Sequence, residues 1–180
     1  MINLAKKKAK DLDLSINYKV ESMEQLCEQE IYDFILCNYA LCYSDSVEIL
    51  RQNCKRIFEA LKPSGRCCGF VDFAGSSNRD KNKIWKKLGV TYHFDRLPAK
   101  DEYVSRIRFY DHRGDFTSEV ETRNYSRVTY ESAFKGAGFR KIEFHTPQAT
   151  GEGLKRFGEQ FWTETLSDPT LFACFEVTKL

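Results

Sequence analysis

Apolar and polar positions along this chain switch between two periods, and the switches mark its elements. Val47, Leu50, Cys54, Ile57 or Phe58, and Leu61 recur at helical spacing, which predicts a strong amphipathic helix. Asp45, with Glu48 three residues on, resembles a capping box at its start. Pro63 disfavours helical geometry in the residue before it, and Lys62-Pro63-Ser64-Gly65 predicts a type I turn. The apolar run at 67–75 then predicts a buried strand. A second run at 32–41 shows almost no alternation. It suits a parallel strand covered on both faces, although its length also admits a buried helix segment.

The chain opens with a helix in which Ile2, Ala5, Ala9 and Leu12 share helical spacing. The lysines between them form either a solvated face or a phosphate-binding patch, and the acidic residues that follow favour the solvated face. Residues 16–20 read as a short strand leaving into a polar turn. After Gly75 the period falls to two, and 91–97, 103–111 and 115–125 read as an antiparallel insertion whose last two strands join at 111–115. Residues 126–139 predict another helix, with Ser126 as N-cap and a Schellman ending at Gly138 and Phe139. Segments 140–147 and 171–180 read as two closing strands.

Strand, helix and strand joined by short connections predict an α/β fold with a parallel sheet. Ligands in such sheets sit outside the carboxyl ends of the strands, which directs attention to 21–23, 37–39 and 72–74. No internal repeat or linker divides the chain, so 1–180 reads as a single domain.

Composition adds exclusions. The 180 residues are 42% hydrophobic and 30% charged, with 28 Lys plus Arg against 26 Asp plus Glu. A net charge of +2 gives no electrostatic case for a nucleic-acid or membrane partner. No apolar stretch approaches the ~20 residues of a membrane helix, and the N-terminus has no secretory apolar core. Seven cysteines, an odd number without a Cys-x-x-Cys pair, predict structural thiols in a reducing compartment, the cytoplasm, and no metal site.

Three quoted stretches carry a resemblance: "YDFILCNYAL", "IFEALKPSGR" and "SRVTYESAFKGAGFRKI". In this order they resemble the later part of class I S-adenosylmethionine-dependent methyltransferases. The helix ending is usually spelled Leu-Lys-Pro-Gly-Gly-Arg in that family, with Ser64 here replacing one glycine. "LGVTYHF", "RIRFY" and "GLKRFGEQFW" are similar to the toxoflavin-synthase-like branch, which methylates small molecules. The resemblance implies a partial Rossmann-like methyltransferase sheet with an antiparallel C-terminal strand pair, and a substrate-lid insertion at 90–124. It implies S-adenosyl-L-methionine as cofactor, contacted by Glu21, Ser22 and Met23 beside adenine and by Cys37, Asn38 and Tyr39 beside the methionine part. Tyr43, Tyr92, His93 and Arg108 are the implied substrate residues, with Arg106 nearby; Tyr39 and Tyr43 either stack a flat substrate or belong to the core. Asp72 either faces the site or ends its strand. Phe157, Phe161 and Trp162 form a lid or, by preference, core.

The glycine-rich turn and the ribose-binding carboxylate of the family have no counterpart. The resemblance therefore implies an N-terminally truncated methyltransferase, weak or inactive as this chain, acting on a small, heteroaromatic molecule. Unpaired strand edges at 16–20 and 32–37 would then drive self-association. The alternative is a non-catalytic module that pairs with another chain through its open sheet.

Overall fold

The computed structural model describes residues 2–74, 85–94, 101–166 and 173–180. Parts of three predicted strands, Gly75, 95–97 and 171–172, lie outside the described residues. Helix α1 (Ile2–Asp11) comes first, then β1 (Tyr32–Leu36), α2 (Val47–Ala60) and β2 (Leu61–Val71). An insertion follows, with β3 (Val90–Phe94), β4 (Tyr103–Tyr110) and β5 (Phe116–Asn124). The chain closes with α3 (Arg127–Ala137), β6 (Lys141–His145), α4 (Gly151–Phe157), α5 (Glu159–Leu166) and β7 (Ala173–Thr178).

The main sheet has the order β1-β2-β7-β6, and the insertion forms a second sheet in the order β3-β4-β5. The β1–β2 pair is parallel, while β7 pairs antiparallel with both β2 and β6. This is the expected α/β fold with its antiparallel end. One face of the main sheet carries the core: Cys67, Val71, Phe175 and Val177 pack against Leu50, Cys54 and Ile57 of α2 and Tyr130, Ala133 and Phe134 of α3. The predicted stripe of α2 is thus its buried face. Among the described residues, no helix is long and apolar enough to cross a membrane.

Local chemistry agrees at the late helix. Ser126 caps α3 by accepting from the Thr129 amide, and Gly138 leaves it in the left-handed region at φ +114°. The Phe139 amide reaches back to the Phe134 carbonyl, the long bond of a Schellman motif. A Cβ at Gly138 would sit 2.8 Å from the Phe58 ring, so glycine also permits α2 and the end of α3 to meet.

Five expectations need correction. Residues 16–20 form no strand: Ile16 and Val20 are 50% and 84% exposed, and an extended segment without a ladder partner is only coil. Strand β1 is not covered on both faces: Phe34 and Leu36, which share one face, are 49% and 62% exposed, and among the described residues β1 also lies at the edge of its sheet. The cap of α2 is Ser46, whose hydroxyl accepts from the Ile49 amide, one residue beyond Asp45. Residues 62–65 bulge out between the Tyr32–Leu61 and Phe34–Arg66 pairs, and Ser64 has φ +63°. A type I turn has negative φ at its third residue, so this turn is of another kind. The predicted stripe of α1 is not a buried face: of its four residues only Ala9 is buried, and Leu12, just past the helix, faces solvent.

Two measurements check these features. Ser64→Gly removes a Cβ penalty of about 1–2 kcal/mol in the left-handed region, offset by glycine's greater freedom in the unfolded chain. It should raise the melting temperature slightly; a fall would contradict the backbone geometry. The Cys37 and Tyr39 amides bond Cys68 and Phe70 carbonyls of β2, so the alternate amides of Phe34 and Leu36 face the open edge. Hydrogen exchange should be faster at Phe34 and Leu36 than at Cys37, unless another strand covers this edge.

Candidate functional site

A cleft of about 600 Å³ opens at the carboxyl end of β1. One wall is the segment around a 3-10 turn, Met23–Gln25. Ser22 caps that turn by accepting from the Glu24 amide at 3.3 Å, and Gln25 Oε1 accepts from the Ser22 amide at 3.0 Å. The reciprocal cap fixes Glu21, Ser22 and Met23 against the cleft. It also occupies one lone pair of the Ser22 hydroxyl. The other wall is Asn38, Tyr39 and Ala40, with Tyr43 beside them.

Tyr39 is the pivot of this wall. Its φ is +51°, which is an outlier for a bulky side chain and the kind of local strain that clusters at functional sites. Its amide donates to the Phe70 carbonyl at 2.9 Å, its carbonyl accepts from Cys42 Sγ at 3.0 Å, and its ring stacks on Phe70. Burial raises its phenol well above the ordinary range. Asn38, one residue earlier, is exposed and lines the cleft.

A second, largely apolar cavity of about 310 Å³ lies behind Tyr39 and Tyr43, which line both spaces. Its far wall is the insertion, through Val90 and Tyr92 of β3, Ile107 and Phe109 of β4, and Val120 and Thr122 of β5. The insertion is held there by its own acids. Glu102 accepts from the Val47 amide at 2.9 Å at the start of α2, and Asp101 accepts from Ser126 and Thr129 at the start of α3. Both carboxylates meet the positive ends of helices. Tyr125, at the end of β5, adds a 2.6 Å bond from its hydroxyl to the Ser44 carbonyl.

Seven of the ten residues singled out from the sequence line these two spaces: Glu21, Ser22, Met23, Asn38, Tyr39 and Tyr43 at the cleft, and Tyr92 at the cavity. Cys37 turns into the core, where burial pushes its thiol up to about 11. His93 and Arg108 sit on the opposite face of the insertion. His93 Nε2 lies 3.0 Å from Thr91 Oγ1, and Arg108 pairs with Glu119 at 2.6 Å. Arg106 pairs with Glu121 on that face. Strand alternation explains the split, since Tyr92 and His93 are neighbours and point apart.

The structure adds two residues that the sequence did not single out as site candidates. Asn53 of α2 lines the cleft although it is 4% exposed; its Nδ2 donates to Ser44 Oγ at 3.0 Å, and its Oδ1 has no partner. Its signal was a polar residue one place ahead of Cys54 in the apolar stripe. Leu88, which ends the Lys86–Leu88 3-10 turn, joins the cavity and a smaller one with Phe70, Trp162 and Leu166. Phe157, Phe161 and Trp162 pack on one another at 4.8 to 5.9 Å, the two phenylalanines stacked and Trp162 edge-on to both.

A methyltransferase domain family model matches residues 1–69. Solved structures similar to this chain include an S-adenosylmethionine-dependent methyltransferase from Clostridium acetobutylicum, with a TM-score of 0.62 and 14% identity, covering 98% of this chain and 70% of that one. Another is an S-adenosylmethionine dependent methyltransferase from Mesorhizobium loti, with a TM-score of 0.59 and 17% identity, covering 97% and 74%. A third is the 1,6-didemethyltoxoflavin-N1-methyltransferase of Burkholderia thailandensis, solved with 1,6-didemethyltoxoflavin and S-adenosylhomocysteine. Its TM-score is 0.53 and its identity 10%, covering 97% of this chain and 55% of that one. No curated protein sequence matches the chain. At these identities the likeness establishes the fold, which is that of S-adenosylmethionine-dependent methyltransferases.

One pH effect follows from the buried carboxyl at the end of β2. Desolvation raises Asp72 from 3.8 to about 8. The folded state then holds a proton that the unfolded chain has lost, so stability is full below about pH 4 and declines as pH rises toward 8. Melting measured across this range should show the decline for the wild type and a flatter profile for Asp72→Asn. Equal slopes would mean that Asp72 is not protonated inside the fold.

Proposed function

We propose that the chain is the acceptor-binding part of an S-adenosylmethionine-dependent methyltransferase for a small, flat molecule. The observation that carries this reading is a pair of adjoining spaces that share Tyr39 and Tyr43 as their partition. The volume and mixed lining of the cleft fit the cofactor. Glu21, Ser22 and Met23 would hold its adenine end, and Asn38 and Tyr39 its amino-acid end. When bound, S-adenosylmethionine supplies a methyl group already activated on a sulfonium.

The chain's own task is positioning and exclusion of water. The apolar cavity, with Tyr39, Tyr43 and Tyr92 at its walls, suits an aromatic ring, and the insertion covers it as a lid. A bicyclic nitrogen heterocycle matches that lining, and the ligand named for the Burkholderia structure belongs to this class. No segment in the chain reads as the family's glycine-rich turn or its ribose-binding carboxylate, so we expect the cofactor grip to be incomplete. The exposed edge of β1, with Phe34 and Leu36 beside it, favours a second reading. In it, the chain pairs through this edge with another polypeptide or with itself.

Chemical-shift titration of the 180-residue chain with S-adenosylhomocysteine tests the first reading. Shifts should cluster at Ser22, Asn38 and Tyr39, with affinity no tighter than about 1 mM, on the order of 4 kcal/mol. Asn38→Ala should weaken binding while shifting stability by no more than about 0.5 kcal/mol, because the side chain is exposed. Phe134→Ala should instead cost about 3–5 kcal/mol of stability, because Phe134 is fully buried. Micromolar binding would remove the incomplete grip from the proposal, and an absence of shifts at the cleft would reject the methyltransferase reading. Concentration-dependent mass in sedimentation, lost on Leu36→Lys, would support the second reading.

A further inference from the structure

The apolar cavity has a buried carboxyl group behind it. Asp72 directly follows β2 and is 6% exposed. Its Oδ1 has no hydrogen-bond partner. The Tyr92 phenol lies beside the carboxyl group, and Tyr92 lines the cavity, so the phenol stands between the carboxyl and the space in front. Among the described residues, the ionisable groups that feel Asp72 are Tyr39 after β1, Cys42 in the Leu41–Tyr43 turn, Tyr92 on β3 and Tyr130 on α3. All four are neutral phenols or thiols held far above their ordinary range by burial, and none is a cation.

A carboxylate buried without a cation is costly. Evolution usually removes such a group or pairs it, and among the described residues the neighbour that also lines the ligand space here is the Tyr92 phenol. Desolvation brings Asp72 to about 8, so both of its protonation states are accessible near neutral pH. His93, the residue with the ordinary base pKa, is on the far face of the insertion.

We propose that Asp72 and Tyr92 form the proton acceptor of this cavity, serving a flat aromatic ligand that carries a weakly acidic N–H or O–H. The inference rests on the reading of the cavity as the acceptor site. In one concerted step the ligand N–H or O–H bond breaks, and its proton passes to the Tyr92 hydroxyl oxygen. The Tyr92 proton passes to the Asp72 carboxylate. The electron pair of the broken bond stays on the ligand nitrogen or oxygen, which becomes the stronger nucleophile. Asp72 goes from anion to neutral acid as the ligand goes from neutral to anion, so no further reactant is needed. Tyr92 touches the ligand, and Asp72 acts through it.

The test uses the 180-residue chain and 7-hydroxycoumarin, a flat bicyclic phenol whose absorbance separates its neutral and anionic forms. Near neutral pH the wild type should bind the probe with the anionic band enhanced over free probe. Calorimetry in two buffers of different ionisation enthalpy should show less proton release to the buffer than the anionic fraction requires. Tyr92→Phe and Asp72→Asn should bind with comparable affinity but leave the probe neutral, and His93→Gln should behave as wild type. If Asp72→Asn does not fold, Tyr92→Phe decides, since it keeps the ring and removes only the hydroxyl. Persistence of the anionic band in Tyr92→Phe overturns the relay while leaving the cavity as a ligand site. Failure of the wild type to bind the probe overturns both.

Discussion

The parallel pairing of β1 with β2 is the interaction on which the site depends. It runs past the end of β1, with the Cys37 amide bonding the Cys68 carbonyl at 2.8 Å and the Tyr39 amide bonding the Phe70 carbonyl at 2.9 Å. Those bonds carry Asn38 and Tyr39 off the sheet in a fixed direction, one toward the cleft and the other between cleft and cavity. Gly69 permits the approach: a Cβ there would overlap the Cys37 carbonyl oxygen at 1.8 Å. The same strand continues to Asp72. A single ladder therefore sets the positions of the cleft wall, the partition and the buried acid.

The insertion is fastened by a different device. Its sheet shares little core with the main one, and its own cluster is Trp85, Tyr92 and Ile107. What fixes it is the pair of carboxylates at its base, Asp101 and Glu102, seated on the first turns of α3 and α2. A Phe73–Tyr125 bridge, with the Ala74 amide bonding the Tyr125 carbonyl at 2.8 Å, ties the end of β5 to the end of β2. Two helix starts and one strand end thus aim the apolar face of the insertion at Tyr39. The charged pairs Arg106–Glu121 and Arg108–Glu119 stay on the solvent face. Exposed pairs of this kind contribute little to stability, so their role there is compatibility with water.

Local signals in the sequence specified most elements. The α2 stripe, the Ser126 cap and the Gly138–Phe139 ending all appear where period and capping chemistry put them. What was not legible was whatever depends on a partner. Among the described residues, 16–20 have the composition of a strand but no ladder partner, and β1 has the composition of a central strand but lies at an edge. Ser46 took the cap from Asp45 because two adjacent residues can each serve and only backbone geometry decides between them. The candidate site followed the same division. The capped turn at 21–23 and the residues after β1 came together in the cleft, whereas His93 and Arg108 needed the orientation of a strand, which alternation alone leaves two-fold ambiguous.

That ambiguity has a chemical consequence. A search by residue type finds His93 first, because imidazole is the usual base at neutral pH. The fold places it beside Arg108, and burial together with that cation lowers its proton affinity. Asp72 is moved in the opposite sense by burial alone. Burial thus brings a carboxyl group that would ordinarily be fully ionised up to about 8, beside the face of the insertion that carries Tyr92. Here the environment selects the titrating group more strongly than residue type does. The environment was set by where β2 ends and by which face of β3 meets the core.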